Sequence, residues 1–213
     1  MKAIIFGSIG TLVETSDIQR QSFNHAFKEI GLDWYWDKNN YKNLLKKSGG
    51  RNRVEYFANI NQNTVDSKKI RELKTQYFNR YLNSNIINPR EGVLEVIKYA
   101  KLNKIKIGLA STTTIENIDA IFTTLKDKIS KTDFNFIGNS KLIKKVKPYP
   151  DIYFEALKKL SVKENECIAI EDSVESALSA KKAKIECIAF PGLFHMDDDF
   201  SFCKKCLNKL DIS

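Results

Sequence analysis

The chain has 213 residues, 42% of them hydrophobic, which suffices for one packed domain or for a core with a smaller domain inserted into it. Its net charge of +9 comes from lysines spread singly, such as Lys98, Lys101, Lys104 and Lys106. No basic stripe alternates with aromatics, so the charge reads as a solvated surface that suits an anionic small molecule, and a nucleic-acid face is not indicated. No apolar run approaches the ~20 residues of a membrane helix. The first dozen residues hold one lysine, two glycines and no small-residue cleavage pattern, which argues against a signal peptide.

In chain order, the first element is Ala3 to Phe6, a short apolar run broken by Gly7, Ser8 and Gly10. It reads as a strand buried on both faces of a parallel sheet, and the loop after such a strand is where open α/β sheets bind ligands. A helix is predicted from Ser16 to Ile30, with Ser16 as N-cap, Phe23, Ala26, Phe27 and Ile30 on one face, and Gly31 as the stop. Leu32 to Asp37 is the densest aromatic cluster, the expected anchor of a small domain's core. A helix from about Asn39 to Lys47 follows. Ser48 to Arg53 contains Gly49 and Gly50; it suits either a loop whose backbone approaches an anion or a plain helix-to-helix turn. Helices over Arg53 to Asn59 and Ser67 to Leu82 complete an all-helical stretch, taken as an inserted domain over 14–85.

From Pro89 onward the pattern alternates. Helices are predicted over Val93 to Leu102, Ile115 to Leu125, Ile152 to Leu160 and Val174 to Ala183. Strands are predicted over Ile105 to Ala110, Phe134 to Ile137, Cys167 to Ile170 and Glu186 to Phe190. Alternation of this kind means right-handed crossovers and a parallel sheet. The fold class is therefore α/β, a Rossmann-like parallel-sheet core over 1–13 and 86–213 with the helical insert between. Three strand ends or helix approaches place polar residues at one sheet edge. Ser111 and Thr112 follow one strand and offer hydroxyls near a helix start. Lys147 precedes a helix, where its ammonium suits a phosphate. Glu171 and Asp172 follow a buried strand, and paired carboxylates there suit Mg²⁺. The four cysteines fit a reduced, cytoplasmic protein. Cys167 and Cys187 read as small buried hydrophobes, and the lone Cys203-x-x-Cys206 spacing is weak support for zinc.

The order of these motifs resembles the haloacid dehalogenase-like phosphatases. Gly10-Thr11-Leu12 matches the end of their opening Asp-x-Asp-Gly-Thr-Leu motif. Ser111 matches the phosphate-binding Ser/Thr, Lys147 the lysine, and Glu171 with Asp172 the magnesium acids. The insert resembles the helical cap of the β-phosphoglucomutase-like branch. Phe23-Asn24, Gly31 to Asp37, Gly49-Gly50-Arg51, Ser111 to Thr114, Pro150 to Tyr153 and Glu171-Asp172-Ser173 look most like the xylulose bisphosphate phosphatases of the CbbY type. The resemblance implies a phosphorylated sugar as ligand, Mg²⁺ as cofactor and a monomer. It also implies substrate contacts from the cap at Gln19, Arg20, Gly50 and Arg51. It has one sharp departure. Gly7 stands at the family's nucleophile and Ile9 at its acid/base, so no catalytic residue of the opening motif is intact. The sequence therefore allows three readings: a catalytically impaired sugar-phosphate binder, a Mg²⁺-dependent phosphatase working by a non-standard route, or a non-enzymatic interaction protein.

Overall fold

The computed structural model describes residues 1–47 and 49–211, and Ser48 of the Ser48 to Arg53 stretch lies outside them. The chain divides into two compact units, Met1–Glu14 with Ile87–Ser213, and Thr15–Ile86. The first unit opens with strand β1 (Ala3–Phe6) and the short helix α1 (Ile9–Leu12). The second holds α2 (Ser16–Glu29), α3 (Lys38–Leu45), α4 (Gly50–Ile60) and α5 (Ser67–Ser84). The first then resumes with α6 (Val93–Leu102), β2 (Lys106–Leu109), α7 (Ile115–Thr124), β3 (Phe136–Ile137), α8 (Asp151–Leu160), β4 (Cys167–Glu171), α9 (Val174–Lys182), β5 (Glu186–Ala189) and β6 (Lys205–Cys206).

The sheet is parallel, in the order β3-β2-β1-β4-β5-β6. From β1 the chain first builds outward through β2 and β3, then crosses back to lay β4, β5 and β6 on the other side. The order therefore reverses between β1 and β4, and the crevice beyond the carboxyl ends of these two strands is the place where such sheets bind ligands. Gly7 follows β1 there and Glu171 closes β4. All four residues of β1 are buried, as a central parallel strand requires. Ala3 and Ile5 face a core shared with Ile152, Tyr153 and Ala156 of α8 and Ala177 and Ala180 of α9. On the other face Phe6 meets the Phe134 ring edge-on, and Phe134 in turn meets Phe122 of α7.

Several boundaries differ from the sequence reading. The helix expected from Arg53 begins at Gly50, because Gly49 takes a left-handed φ of 84° and turns the chain into it. Thr15, not Ser16, is the N-cap of α2. β4 runs one residue further, so Glu171 belongs to the strand. The sheet does not close at β5: β6 adds an edge, held by Lys204 N–H on the Cys187 carbonyl (2.8 Å) and Leu207 N–H on the Ala189 carbonyl (2.9 Å). Both residues of β6 are exposed, so no apolar alternation announces it.

The helical unit is built around Trp36, which is fully buried and ringed by Phe23, Phe27, Tyr41 and Phe57 at centroid distances of 4.8–6.0 Å. Its backbone is bracketed by the Asn24 amide, which accepts from Trp36 N–H at 2.8 Å and donates to its carbonyl at 3.0 Å. The aromatic run from Leu32 to Asp37 thus anchors this unit's core. Among the described residues no helix is long and apolar enough to cross a membrane.

Candidate functional site

The opening loop is fixed before any functional side chain is considered. Gly7 N–H donates to the Ile170 carbonyl at 2.8 Å, which carries the β1–β4 ladder one step past the strand. The buried Thr11 hydroxyl donates to the Ser8 carbonyl at 2.7 Å and closes the turn. Arg90 then bolts the loop to the far strand ends. Its guanidinium donates to the carbonyls of Gly10 (3.0 Å), Phe190 (2.8 Å) and Pro191 (2.6 Å) and lies 3.4 Å over the Phe190 ring. Burial disfavours the charge on Arg90, and the nearby Asp172 and Glu14 favour it.

Lys147 arrives on a loop fastened at both ends. The Asp151 carboxylate at the start of α8 accepts from Lys145 N–H at 3.0 Å, and the buried Ser179 hydroxyl of α9 donates to the Tyr149 carbonyl at 2.7 Å. The Lys147 ammonium is thereby buried. It donates to the Gly7 carbonyl and to Glu171 Oε1, each at 2.5 Å. The Tyr153 hydroxyl from α8 donates to the same Oε1 at 2.5 Å. Glu171 is wholly buried, and its Oε2 has no hydrogen-bond partner.

The position of that carboxylate follows from Gly7. A Cβ on Gly7 would stand 1.9 Å from Glu171 Cδ and 2.1 and 2.2 Å from its two oxygens. Glu171 therefore fills the space that any side chain at position 7 would need. Asp172 does the same at Gly10, where a Cβ would meet its Oδ2 at 1.8 Å. Both acids are folded over glycines of the opening loop. Ile9, half-buried, begins α1 and carries no polar atom.

Ser111 and Thr112 lie at the same sheet edge, after β2. Ser111 is buried, and its Oγ accepts from Thr113 N–H at 3.2 Å, which leaves the hydroxyl proton free to donate to an anion. α7 follows, capped by Thr114 Oγ1 accepting from Asn117 N–H. The residues singled out in the helical unit have partners inside it. Gln19 Oε1 accepts from the Lys74 ammonium at 3.1 Å. Arg20 is buried between Asp17 (2.7 Å) and the Trp36 carbonyl (2.9 Å), so it braces the aromatic core. Arg51 is exposed and pairs with Glu55 at 2.7 Å. Gly50 opens α4 against the Phe23 ring, where a Cβ would stand 3.1 Å from the ring.

Three residues of consequence receive no role in the sequence reading. Tyr153 follows a proline-stiffened turn and resembles one more apolar helix residue. Arg90 sits in a segment that reads only as the return to the sheet. Lys74 lies in a helix rich in charged residues, yet it is buried over the Phe23 and Phe78 rings; burial, with Arg53 and Arg71 near, pulls its pKa down to about 7.

A divalent cation needs oxygen ligands free to turn toward it. Among the described residues no group of three or more His, Cys, Asp or Glu side chains could hold one. Glu171 and Asp172 are the carboxylates that β4 brings to this crevice. Glu171 Oε1 already takes two donors, one of them an ammonium that would repel a second cation. This arrangement leaves Mg²⁺ only the unpartnered Oε2 of Glu171 and the Asp172 carboxylate, with the Lys147 charge on Glu171 opposing a cation there. The Cys203–Cys206 spacing likewise gathers no zinc ligand set among the described residues, and all four cysteines are free thiols.

Burial raises the Glu171 pKa to about 7, against the opposing pull of Lys147 and with Asp172 adding to the rise. The folded state thus keeps a proton that the unfolded chain loses from about pH 4.5. The stabilisation this gives is fully present below that pH and is lost as pH rises through about 7. Glu171→Gln retains an acceptor for Lys147 and removes the titration. Urea unfolding from pH 4.5 to 7.5 is expected to show the natural chain losing about 3 kcal/mol relative to the variant. Parallel pH profiles would contradict this assignment.

The comparisons with known proteins agree with this fold. The family model for haloacid dehalogenase-like hydrolases matches residues 4–190. Protein CbbY of Rhodobacter capsulatus is 35% identical over 204 residues, covering 94% of this chain and 90% of the relative. The crystal structure of CbbY from Rhodobacter sphaeroides in complex with phosphate superposes with a TM-score of 0.89 at 30% identity, covering 98% of this chain and 94% of the other. A mutant of the same CbbY in complex with xylulose-(1,5)bisphosphate gives 0.90 at 30% identity with the same coverage. With a parallel sheet that reverses at the opening loop and a family match over most of its length, this chain belongs to the haloacid dehalogenase-like hydrolases.

Proposed function

We propose that this protein binds a phosphorylated sugar of the xylulose bisphosphate class and turns it over slightly or not at all. The observation that carries the reading is Gly7: it provides no nucleophile, and Glu171 occupies the space a nucleophile's side chain would need. The binding half is supported by Ser111, with its free hydroxyl proton, by the Lys147 ammonium, and by the phosphate and xylulose bisphosphate complexes of the related CbbY. Hydrolysis of phosphate monoesters is among the slowest uncatalysed reactions, and covalent catalysis lowers such a barrier only where a nucleophile exists. Loss of a nucleophile alone costs on the order of 10⁶-fold in kcat in a well-studied hydrolase, with a residue of about 10³–10⁴ over water from binding and electrostatics. Ile9 adds to the loss, because a hydrocarbon moves no proton. Ser8 does not replace Gly7: its hydroxyl is buried with no hydrogen-bond partner, so no base is bonded to it.

A metal-activated water would be the alternative. It requires Glu171 and Asp172 to face a cation, and both carboxylates are folded onto the glycines of the loop. The test is phosphate release from a panel of sugar mono- and bisphosphates, with the natural chain beside Gly7→Asp/Ile9→Asp. The natural chain is expected to release at least about 10³-fold less phosphate than the doubly substituted one on its best substrate. Equal release by the two would overturn the impaired reading.

A further inference from the structure

We propose that the sheet unit carries its own counter-cations and takes an anionic phosphate-type ligand without a divalent metal, with Lys147 fixed on Glu171 and Arg90 fixed beside Asp172. The inference rests on the reading above that position 7 has given up its carboxylate. Its basis is the way the two acids are turned. Glu171 reaches inward because Gly7 leaves room for it, and there its Oε1 takes both Lys147 and Tyr153. Asp172 reaches inward over Gly10, whose carbonyl receives the Arg90 guanidinium. Glu171 is thus paired with a cation that the chain itself supplies, and the Arg90 charge lies near Asp172 without a direct bond to it. Both cations are locked by backbone carbonyls, of Gly7 for Lys147 and of Gly10, Phe190 and Pro191 for Arg90, so neither swings away.

Lys147 has three N–H donors and spends two of them on Gly7 and Glu171. The third is available to an oxyanion, in company with the Ser111 hydroxyl at the same sheet edge. A cation bound to Glu171 would have to share the carboxylate with this ammonium. Substituting Gly7 by Asp changes the balance: its side chain claims the space of the Glu171 carboxylate, drives it out, and sets two acids side by side in place of one.

The test uses the intact chain and needs no sugar. Free Mn²⁺ is followed by electron paramagnetic resonance during titration, and inorganic phosphate binding is measured by calorimetry in EDTA and in Mg²⁺. The natural chain is expected to retain no Mn²⁺ up to about 1 mM, the weak end of protein divalent sites. Its Kd for phosphate is expected to agree within about twofold between the two buffers. Gly7→Asp is expected to retain Mn²⁺, and a folded Gly7→Asp that does not would overturn the displacement. Should that variant fail to fold, the natural chain decides by itself. Stoichiometric Mn²⁺ on the natural chain, or phosphate binding only with Mg²⁺, overturns the inference and leaves the ligand reading standing. Phosphate bound in neither buffer overturns the ligand reading, and with it the anion half of this inference.

Discussion

Lys147→Met is expected to destabilise the sheet unit by about 3–5 kcal/mol at neutral pH, the range found when one partner of a buried ion pair is removed. Lys147 and Glu171 are both buried, and the substitution takes from Glu171 the ammonium that pairs with it. The Gly7 carbonyl loses the same donor, which adds the desolvation cost of an unsatisfied buried acceptor. Methionine fills nearly the same volume, so the loss is electrostatic and not a cavity effect. Glu171 responds by holding its proton to higher pH. The deficit should therefore shrink on acidification toward pH 5, where Glu171 is neutral in either chain. The readout must see the right unit, because both tryptophans, Trp34 and Trp36, lie in the helical one. Hydrogen exchange at the β1 and β4 amides reports the sheet, while tryptophan fluorescence reports a part that should be unaffected. A deficit under about 1 kcal/mol, or one independent of pH, would contradict the ion-pair account.

Arg90→Ala should have an effect of similar size by a different route. Three carbonyls, of Gly10, Phe190 and Pro191, lose a charged donor at once. Hydrogen bonds to charged groups are worth about 1.5–3 kcal/mol each, and water entering the vacated space recovers a part, so about 3–4 kcal/mol is expected. The stacked Phe190 ring loses its cation as well. The opening loop then loses its side-chain anchor at Gly10 and keeps the Gly7 N–H bond to Ile170, the Lys147 bond to the Gly7 carbonyl and the residue-90 N–H bond to the Leu12 carbonyl. Anion binding should weaken together with stability. Arg90→Lys should restore little, because a single ammonium does not reproduce the planar fork that spans three acceptors. Chemical denaturation and phosphate calorimetry on both variants check this; full rescue by lysine would show that charge alone matters.

What is legible in the sequence depends on where the signals lie. β1 is readable because four consecutive apolar residues before a glycine turn suit a buried parallel strand better than a helix. The α/β alternation follows from helical and strand periods that differ clearly, and the aromatic core of the helical unit follows from the density of rings between Leu32 and Asp37. β6 is not readable: two exposed residues at a sheet edge bury nothing, and backbone pairing alone places them. The approach of Lys147 to Glu171 can be guessed only through resemblance, since 24 positions separate them. The turning of Glu171 onto Gly7 has no local signal at all. It depends on empty space, and a glycine announces the absence of a side chain without saying which neighbour will move in. Arg90 is hidden for a similar reason, because its partners are backbone carbonyls and any residue can supply those.

We propose that this haloacid dehalogenase-like chain keeps the binding half of a phosphatase site and lacks the reacting half. Calorimetric injection of xylulose-1,5-bisphosphate into the natural chain tests it most directly, because binding and turnover leave different traces in one experiment. A saturable isotherm that ends at the heat of dilution is expected, with no free phosphate in the cell afterwards. A continuous heat flow that persists until the sugar is consumed, with phosphate accumulating, would contradict it.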